Sequence, residues 1–310
     1  MLSVEHLLDT TSLTAEDITQ ILDVAASFED KEGRASGRSG TLAGRTIVNL
    51  FLEPSTRTRS SFELAEKRLS ADVLNMEGSS SSVVKGESLA DTIQTISAMD
   101  VDMFVCRSRY AGTPQLITQN TNAKVINAGD GKHQHPTQAL LDLYTIREHF
   151  GHLDNLKVAI VGDLSHSRVC GSLAPALKTM GSEVVLVAPP TFQVADPAYF
   201  GATQTAHFDE VLDSCDVIYL LRVQLERMEG AAIPSPREYF RLYGLDEARL
   251  KRMKEGAIIC HPGPLNRGME IAAESADAPN AKILSQVHAG VLTRMAEMYL
   301  LLGGDADAVA

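Results

Sequence analysis

Short apolar runs alternate along this chain with longer stretches whose apolar positions recur at helical spacing. The runs occupy residues 46–51, 73–76, 103–106, 125–127, 158–161, 184–187, 217–221 and 258–260. Runs of this kind predict buried strands, and the helical stretches between them predict crossover helices, which together make parallel sheets covered by helices. Eight strands could close one barrel. A long helical pattern over residues 137–150 and the turn-rich residues 151–155 instead predict a domain boundary there. The expected fold class is α/β, with two doubly wound domains, each with a mainly parallel sheet flanked by helices. Ligands of such sheets gather at the carboxyl ends of the strands. Thr14, followed by Glu16 and Asp17, reads as the cap of a first helix running to about Phe28. The last helix, over residues 291–302, stops at Gly303 and Gly304.

Composition adds size and charge to this frame. A chain of 310 residues is long enough for two domains, each with its own core. No stretch approaches the roughly 20 apolar residues of a membrane span, and the first residues lack the basic-then-apolar order of a signal peptide, so a cytoplasmic protein is expected. The four cysteines, Cys106, Cys170, Cys215 and Cys260, form no CxxC pair, which leaves buried thiols as the expectation. The formal net charge of −12 argues against nucleic acid as a partner and repels small anions as well. An anion site in this chain must therefore concentrate cations and helix N-termini locally.

Residues 51–59 offer such a concentration. Ser55, Thr56, Arg57, Thr58 and Arg59 follow a predicted strand and open a predicted helix, in which Phe62, Leu64, Ala65 and Leu69 recur at near-helical spacing. The first N–H groups of a helix lack intrahelical partners, and with the helix dipole, three hydroxyls and a planar guanidinium they favour an anion. Ordinary capping by Ser or Thr is the competing reading.

Further candidates follow other strands. Arg107 directly follows the run 103–106, with Arg109 two residues on. His133 and His135 flank Gln134 ahead of Pro136, Thr137 and Gln138; with no third ligand at suitable spacing, a metal site is not expected. Gly162 to Arg168 form a strand-turn-helix unit that lacks both GxGxxG and GxxxxGK, so a nucleotide loop is not indicated. Arg222 and Gln224 end the run 217–221, and a substrate with two carboxylates needs two such guanidinium forks.

The run Phe51-Leu-Glu-Pro-Ser-Thr-Arg-Thr-Arg59 resembles the carbamoyl-phosphate signature of the carbamoyltransferases, with Glu53 and Pro54 similar to members that use aspartate rather than ornithine. Arg222-Val-Gln224 and His261-Pro-Gly-Pro-Leu-Asn-Arg267 stand where the ornithine-using members carry an acidic residue with an SMG loop and a Cys-Leu-Pro. The resemblance covers essentially the whole chain. It implies carbamoyl phosphate bound by Ser55, Thr56, Arg57, Thr58, Ser81, Lys85, Arg107, His135, Gln138, Pro262 and Gly263. Thr58, Arg107 and His135 are implied as the catalytic donors to the carbonyl oxygen. Lys85, Arg168, Arg222 and Gln224 are implied in aspartate binding. His133 has no counterpart in the motif, and Arg107 is preferred over Arg109 because it directly follows its strand.

The implied domains are residues 1–150 for carbamoyl phosphate, with a C-terminal helix over 289–303 packing back on them, and 151–288 for aspartate. The implied assembly is a homotrimer with shared active sites, in which Ser81 and Lys85 reach the neighbour; a larger complex with dihydroorotase or regulatory chains is a further possibility. No metal and no organic cofactor are implied, and neither nucleic acid nor membrane is an expected partner. The alternatives are an ornithine or other carbamoyltransferase and a catalytically silent structural paralogue.

Overall fold

The computed structural model of the protein describes residues 2–36, 40–77, 87–223 and 235–304. Two compact units emerge from its contacts, one comprising Met1–Tyr144 with His288–Ala310 and the other Thr145–Val287. In the first unit, helix α1 (Ala15–Ser27) precedes strand β1 (Thr46–Phe51), α2 (Thr56–Arg68) and β2 (Asp72–Glu77). There follow α3 (Leu89–Ser97), β3 (Met103–Ser108), α4 (Thr113–Thr118), β4 (Lys124–Asp130) and the start of α5 (Pro136–Phe150). Helix α10 (Ile283–Leu301) returns to this unit from His288 onward. The strands are all parallel and ordered β2-β1-β3-β4. Strand order thus reverses between β1 and β3, and the carboxyl ends of these two neighbours open a crevice.

The second unit contains β5 (Lys157–Val161), α6 (Arg168–Thr179), β6 (Glu183–Val187), β7 (Ala202–Thr205) and β8 (Val217–Leu220). After these come α7 (Pro236–Tyr243), α8 (Glu247–Leu250), β9 (Ile258–Cys260) and α9 (Ala273–Ala276). Its sheet is also parallel, ordered β7-β6-β5-β8-β9, so its reversal lies between β5 and β8. At that reversal Gly162 has φ +136°, and a Cβ there would lie 3.0 Å from the Leu221 backbone oxygen. A side chain at this point would push the two strand ends apart.

The sheets are as the apolar runs foretold, with one strand added. Strand β7 reads Ala-Thr-Gln-Thr and has no apolar run; its ladder with β6 at the sheet edge, not burial, makes it a strand. Helix α10 begins at Ile283 rather than near residue 291, because its first turn carries Leu284 and Val287 exposed and so breaks the apolar stripe. The division into units falls within α5, which continues without interruption past Tyr144 to Phe150. At α1, Thr14 accepts from the Asp17 N–H while Asp17 accepts from the Thr14 N–H at 2.9 Å, a reciprocal cap. All four cysteines are buried and unbridged; burial pushes the Cys215 thiol up to about 11 and Cys170 up to about 12.

Burial of polar groups fixes α2 behind the crevice. Asn49, in the middle of β1, donates from Nδ2 to Glu66 Oε2 on α2 at 2.8 Å and to Asn75 Oδ1 on β2 at 3.0 Å. Glu66 is fully buried, and its other oxygen makes no hydrogen bond. Burial pushes its carboxyl from an ordinary 4.5 up to about 8, with the Asn49 bond opposing the shift. Between those values the folded chain holds a proton that the unfolded chain has released. Stability from this group is therefore full below about 4.5 and lost as pH rises through about 8. Buried Glu297, also pushed up to about 8 by burial, adds a dependence of the same sign. Glu66→Gln, which mimics the protonated acid, is expected to melt close to the parent at pH 5 and increasingly above it towards pH 9. Melting curves across that range check this, and a difference that stays constant with pH contradicts it.

Candidate active site

In the first unit, the site grows from the two strand ends at the reversal. Chain leaving β1 turns through Glu53 and Pro54 into α2, with Ser55 as the residue before the helix. Ser55 is extended (φ −159°, ψ 101°) and makes no side-chain cap; its hydroxyl instead donates to Thr58 Oγ1 at 3.0 Å. The ordinary-capping reading fails here, because the hydroxyl that would satisfy the first turn is turned along the helix face. Thr56 and Arg57 are exposed, whereas Thr58 is buried.

Arg107, near the end of β3, is the hub. Its Nη1 donates to the Ala128 carbonyl at 3.1 Å and to Thr58 Oγ1 at 3.4 Å, and lies 3.5 Å from His135 Nε2. Glu53 Oε2 stands 3.7 Å from its Nε, a long ion pair. Distances of 3.4 Å and more mark weak contacts, so the Ala128 carbonyl is the firmest of these holds on Nη1. His135 is buried just ahead of α5, with Thr137 Oγ1 3.4 Å from its Nδ1. Gln138, one turn further on the same face, donates from Nε2 to Asp142 Oδ1 at 2.9 Å.

The turn that delivers His135 is itself clamped. Asp130, buried at the end of β4, accepts from Asn127 Nδ2, from the N–H groups of Gly112 and Gln134, and pairs with His133 Nδ1 at 3.1 Å. His133 is thereby a partner of Asp130, and Arg109 lies 5.5 Å from the centre of the neighbouring Tyr110 ring. The side chain brought to Thr58 and His135 is Arg107. No cluster of three or more His, Cys, Asp or Glu suited to a metal ion occurs among the described residues.

In the second unit, the reversal between β5 and β8 carries its own cations. Arg168, largely buried, opens α6, whose N-terminal cap is Ser167 accepting from the Cys170 N–H at 3.2 Å. Asp163, buried immediately after Gly162, accepts from His166 Nδ1 at 2.8 Å and braces the turn that leads to Arg168. Arg222 stands two residues past the end of β8. The segment bearing Pro262 and Gly263 is held by its own polar groups. The Gly263 N–H donates to His261 Nδ1 at 2.8 Å, His261 Nε2 lies 3.3 Å from Glu270 Oε1, and the Asn266 N–H donates to that same oxygen. Asn266 Nδ2 then reaches the Val223 carbonyl at 3.2 Å, fastening this segment to the end of β8 beside Arg222.

Ser81, Lys85 and Gln224 lie outside the described residues. Among the rest, the structure gathers Ser55, Thr58, Arg107, His135 and Gln138 in the first unit, and it sets Arg168, Arg222, Pro262 and Gly263 at strand ends of the second. Asp163, His261 and Asn266 lie inside the motifs read from the sequence but were given no supporting role there, and Asp130, Asp142 and Glu270 were given none either. Their one visible signal is an acid, amide or imidazole just past an apolar run or one helical turn from a motif residue.

Comparison with known proteins fits this geometry. Residues 5–148 match the model of the aspartate/ornithine carbamoyltransferase carbamoyl-P binding domain, and residues 154–301 match that of its Asp/Orn binding domain. The aspartate carbamoyltransferase catalytic subunit of Acidothermus cellulolyticus is 53% identical over 99% of this chain and 95% of its own length. That of Thermobifida fusca is 50% identical over 97% and 96%. Among solved structures, the aspartate transcarbamoylase of Trypanosoma cruzi in complex with carbamoyl phosphate and aspartate has a TM-score of 0.86 at 32% identity, covering 95% of each chain. The ornithine carbamoyltransferase of Thermus thermophilus has a TM-score of 0.85 at 24% identity, over 96% of this chain and 99% of its own, a likeness of fold alone. The chain thus belongs to the aspartate/ornithine carbamoyltransferase family, and its relatives at about half identity are catalytic subunits of aspartate carbamoyltransferase.

Proposed function

We propose that the protein transfers the carbamoyl group of carbamoyl phosphate to the α-amine of L-aspartate, giving N-carbamoyl-L-aspartate and phosphate as a step of de novo pyrimidine biosynthesis. The observation that carries this reading is the convergence of Thr58, Arg107 and His135 at one strand reversal, beside a helix start that Ser55 leaves uncapped by its side chain. The neutral amine attacks the carbonyl carbon; a C–N bond forms, charge builds on the carbonyl oxygen, the C–O bond to phosphate breaks, and the proton lost from the amine nitrogen leaves with the phosphate. Donors fixed before the reaction lower that barrier most. Thr58, Arg107 and His135 serve the oxygen, Ser55, Thr56, Arg57 and Arg107 serve the departing phosphate, and the Pro262 and Gly263 carbonyls face the carbamoyl and amine groups. Because carbamoyl phosphate is already activated, the reaction as written calls on no metal or organic cofactor. The first unit is the carbamoyl-phosphate domain and the second the aspartate domain, in line with the two family models.

Arg168 and Arg222, with Gln224, are the forks for the two carboxylates of aspartate. An ornithine side chain is cationic, and Arg222 at the end of β8 would repel it. Assayed in parallel, aspartate is expected to be carbamoylated and ornithine not; a chain that turns over ornithine and leaves aspartate untouched overturns the reading. Arg222→Ala is expected to raise the KM for aspartate by about a hundredfold, the loss of one charge-assisted fork, and to leave carbamoyl-phosphate binding near the parent value. Equal weakening of both substrates makes Arg222 a structural residue.

The assembly we infer is a cytoplasmic homotrimer in which Ser81 and Lys85 complete a neighbour's site; dihydroorotase or regulatory chains are its candidate further partners. No helix among the described residues is long and apolar enough to cross a membrane. Support for a protein contact comes from Leu64 on α2 and Leu74 on the edge strand β2, both exposed large apolar side chains on adjoining elements. A cyclic head-to-tail interface sets one subunit's loop against the next subunit's pocket. Lys85→Ala and Arg57→Ala, each inactive alone, are expected to regain activity when their subunits are exchanged, because some hybrid sites then hold both residues. Mixtures that stay inactive after verified exchange show that each chain completes its own site.

A further inference from the structure

Helix α5 carries a carboxylate that the reaction above does not use. Asp142 is fully buried one turn beyond Gln138 and accepts from Gln138 Nε2 at 2.9 Å. A carboxylate offers only acceptors, so the amide nitrogen of Gln138 must face Asp142 and its carbonyl oxygen must face away. Gln138 lies in the first turn of α5, three residues after His135, whose Nε2 lies 3.5 Å from Arg107. The oxygen of Gln138 is therefore the end that Asp142 does not hold.

Asp142 is itself kept in place from another helix. Buried Arg294 on α10 feels the charges of Glu297 and Asp142, donates to Ser61 and lies 4.9 Å from the centre of the Phe62 ring on α2. The same guanidinium that lies within the field of Asp142 is thus held against α2, whose first turn carries Thr56, Arg57 and Thr58. Among described residues this is the polar network most directly connected to the carbamoyl subsite yet absent from the chemistry assigned above.

We propose that Asp142 is the positioning residue that makes this site select a carbamoyl group over a plain acyl group, by locking the amide of Gln138 with its oxygen toward the substrate. Carbamoyl and acetyl phosphate differ at one position of nearly equal size, an amino group in one and a methyl in the other. Shape alone discriminates such a pair poorly, whereas a fixed acceptor rewards the amino group and finds no donor on the methyl. An amide free to rotate would present its own NH2 part of the time and lose that discrimination. Asp142 removes this freedom. The inference rests on the carbamoyl-transfer reading.

The experiment measures kcat/KM for carbamoyl phosphate and the inhibition constants of acetyl phosphate and inorganic phosphate. It compares the parent, Asp142→Asn, Asp142→Ser, Gln138→Ala and the Gln138→Ala/Asp142→Asn double variant, with a melting curve for each. Asp142→Asn is expected to cut the preference for carbamoyl over acetyl phosphate about tenfold, the worth of one oriented hydrogen bond, with inorganic phosphate within about twofold of the parent. In the Gln138→Ala background the same change is expected to do nothing more to that preference, since Asp142 acts through Gln138. Asp142→Ser reads the same loss by truncation, so either folded variant decides. An unchanged preference, equal weakening of all three ligands, or an Asp142→Asn effect that persists without Gln138 overturns the proposal. A parent chain that does not transfer the carbamoyl group overturns the reading beneath it, and the inference with it; an active parent with an unaltered Asp142→Asn preference overturns the inference alone.

Discussion

A single guanidinium placed at a strand reversal organises the carbamoyl side of this protein. In a parallel sheet the carboxyl ends of two strands part only where strand order reverses, and in the first unit that place lies between β1 and β3. The net charge of −12 makes the whole surface unfavourable to anions. At that reversal Arg107 is fixed by a backbone carbonyl 3.1 Å from its Nη1 and stands 3.7 Å by its Nε from the Glu53 carboxylate. The Ser55 hydroxyl, turned to Thr58, and the Asp130 clamp on the turn before His135 arrange the neighbours of that cation.

Within each unit the fold uses buried polar groups where an apolar core would be more stabilising in isolation. Asn49 and Glu66 lock α2 to β1, Arg294 locks α10 to α2, and Glu270 with His261 holds the Pro262–Gly263 segment of the other unit. Burying such groups is costly, as the upward shifts of Glu66 and Glu297 and the downward shift of Arg294, all driven by burial, make plain. Each network holds an element that bears a residue of the proposed site. The cost is set against fixed geometry at the site, the main source of rate for a reaction without a covalent nucleophile.

Much of this was legible in the residues. Parallel strands buried on both faces betray themselves as unbroken apolar runs, so eight strands were readable from hydropathy; β7, polar and at an edge, was not, because ladder pairing leaves no apolar trace. The helix start proposed to bind an anion was visible because Ser, Thr and Arg at a strand-helix junction are themselves the chemistry. Arg107 could be preferred to Arg109 from its place at the strand end, yet only the geometry ties it to Thr58 and His135. What stayed hidden were partners distant in sequence. Asn49 with Glu66 and Asp142 with Arg294 are ordinary polar residues until the fold brings them together.

The central claim is the role proposed for Arg107, held at the strand end beside Thr58 and His135, in capturing carbamoyl phosphate. Calorimetric titration of carbamoyl phosphate into the parent and into Arg107→Gln, with no second substrate present, tests it most directly. The account predicts binding weaker by on the order of a hundredfold, from the loss of charge-assisted hydrogen bonds, in a variant whose melting temperature stays near that of the parent. Binding within twofold of the parent, or a loss of affinity that merely follows a loss of folded protein, would contradict it.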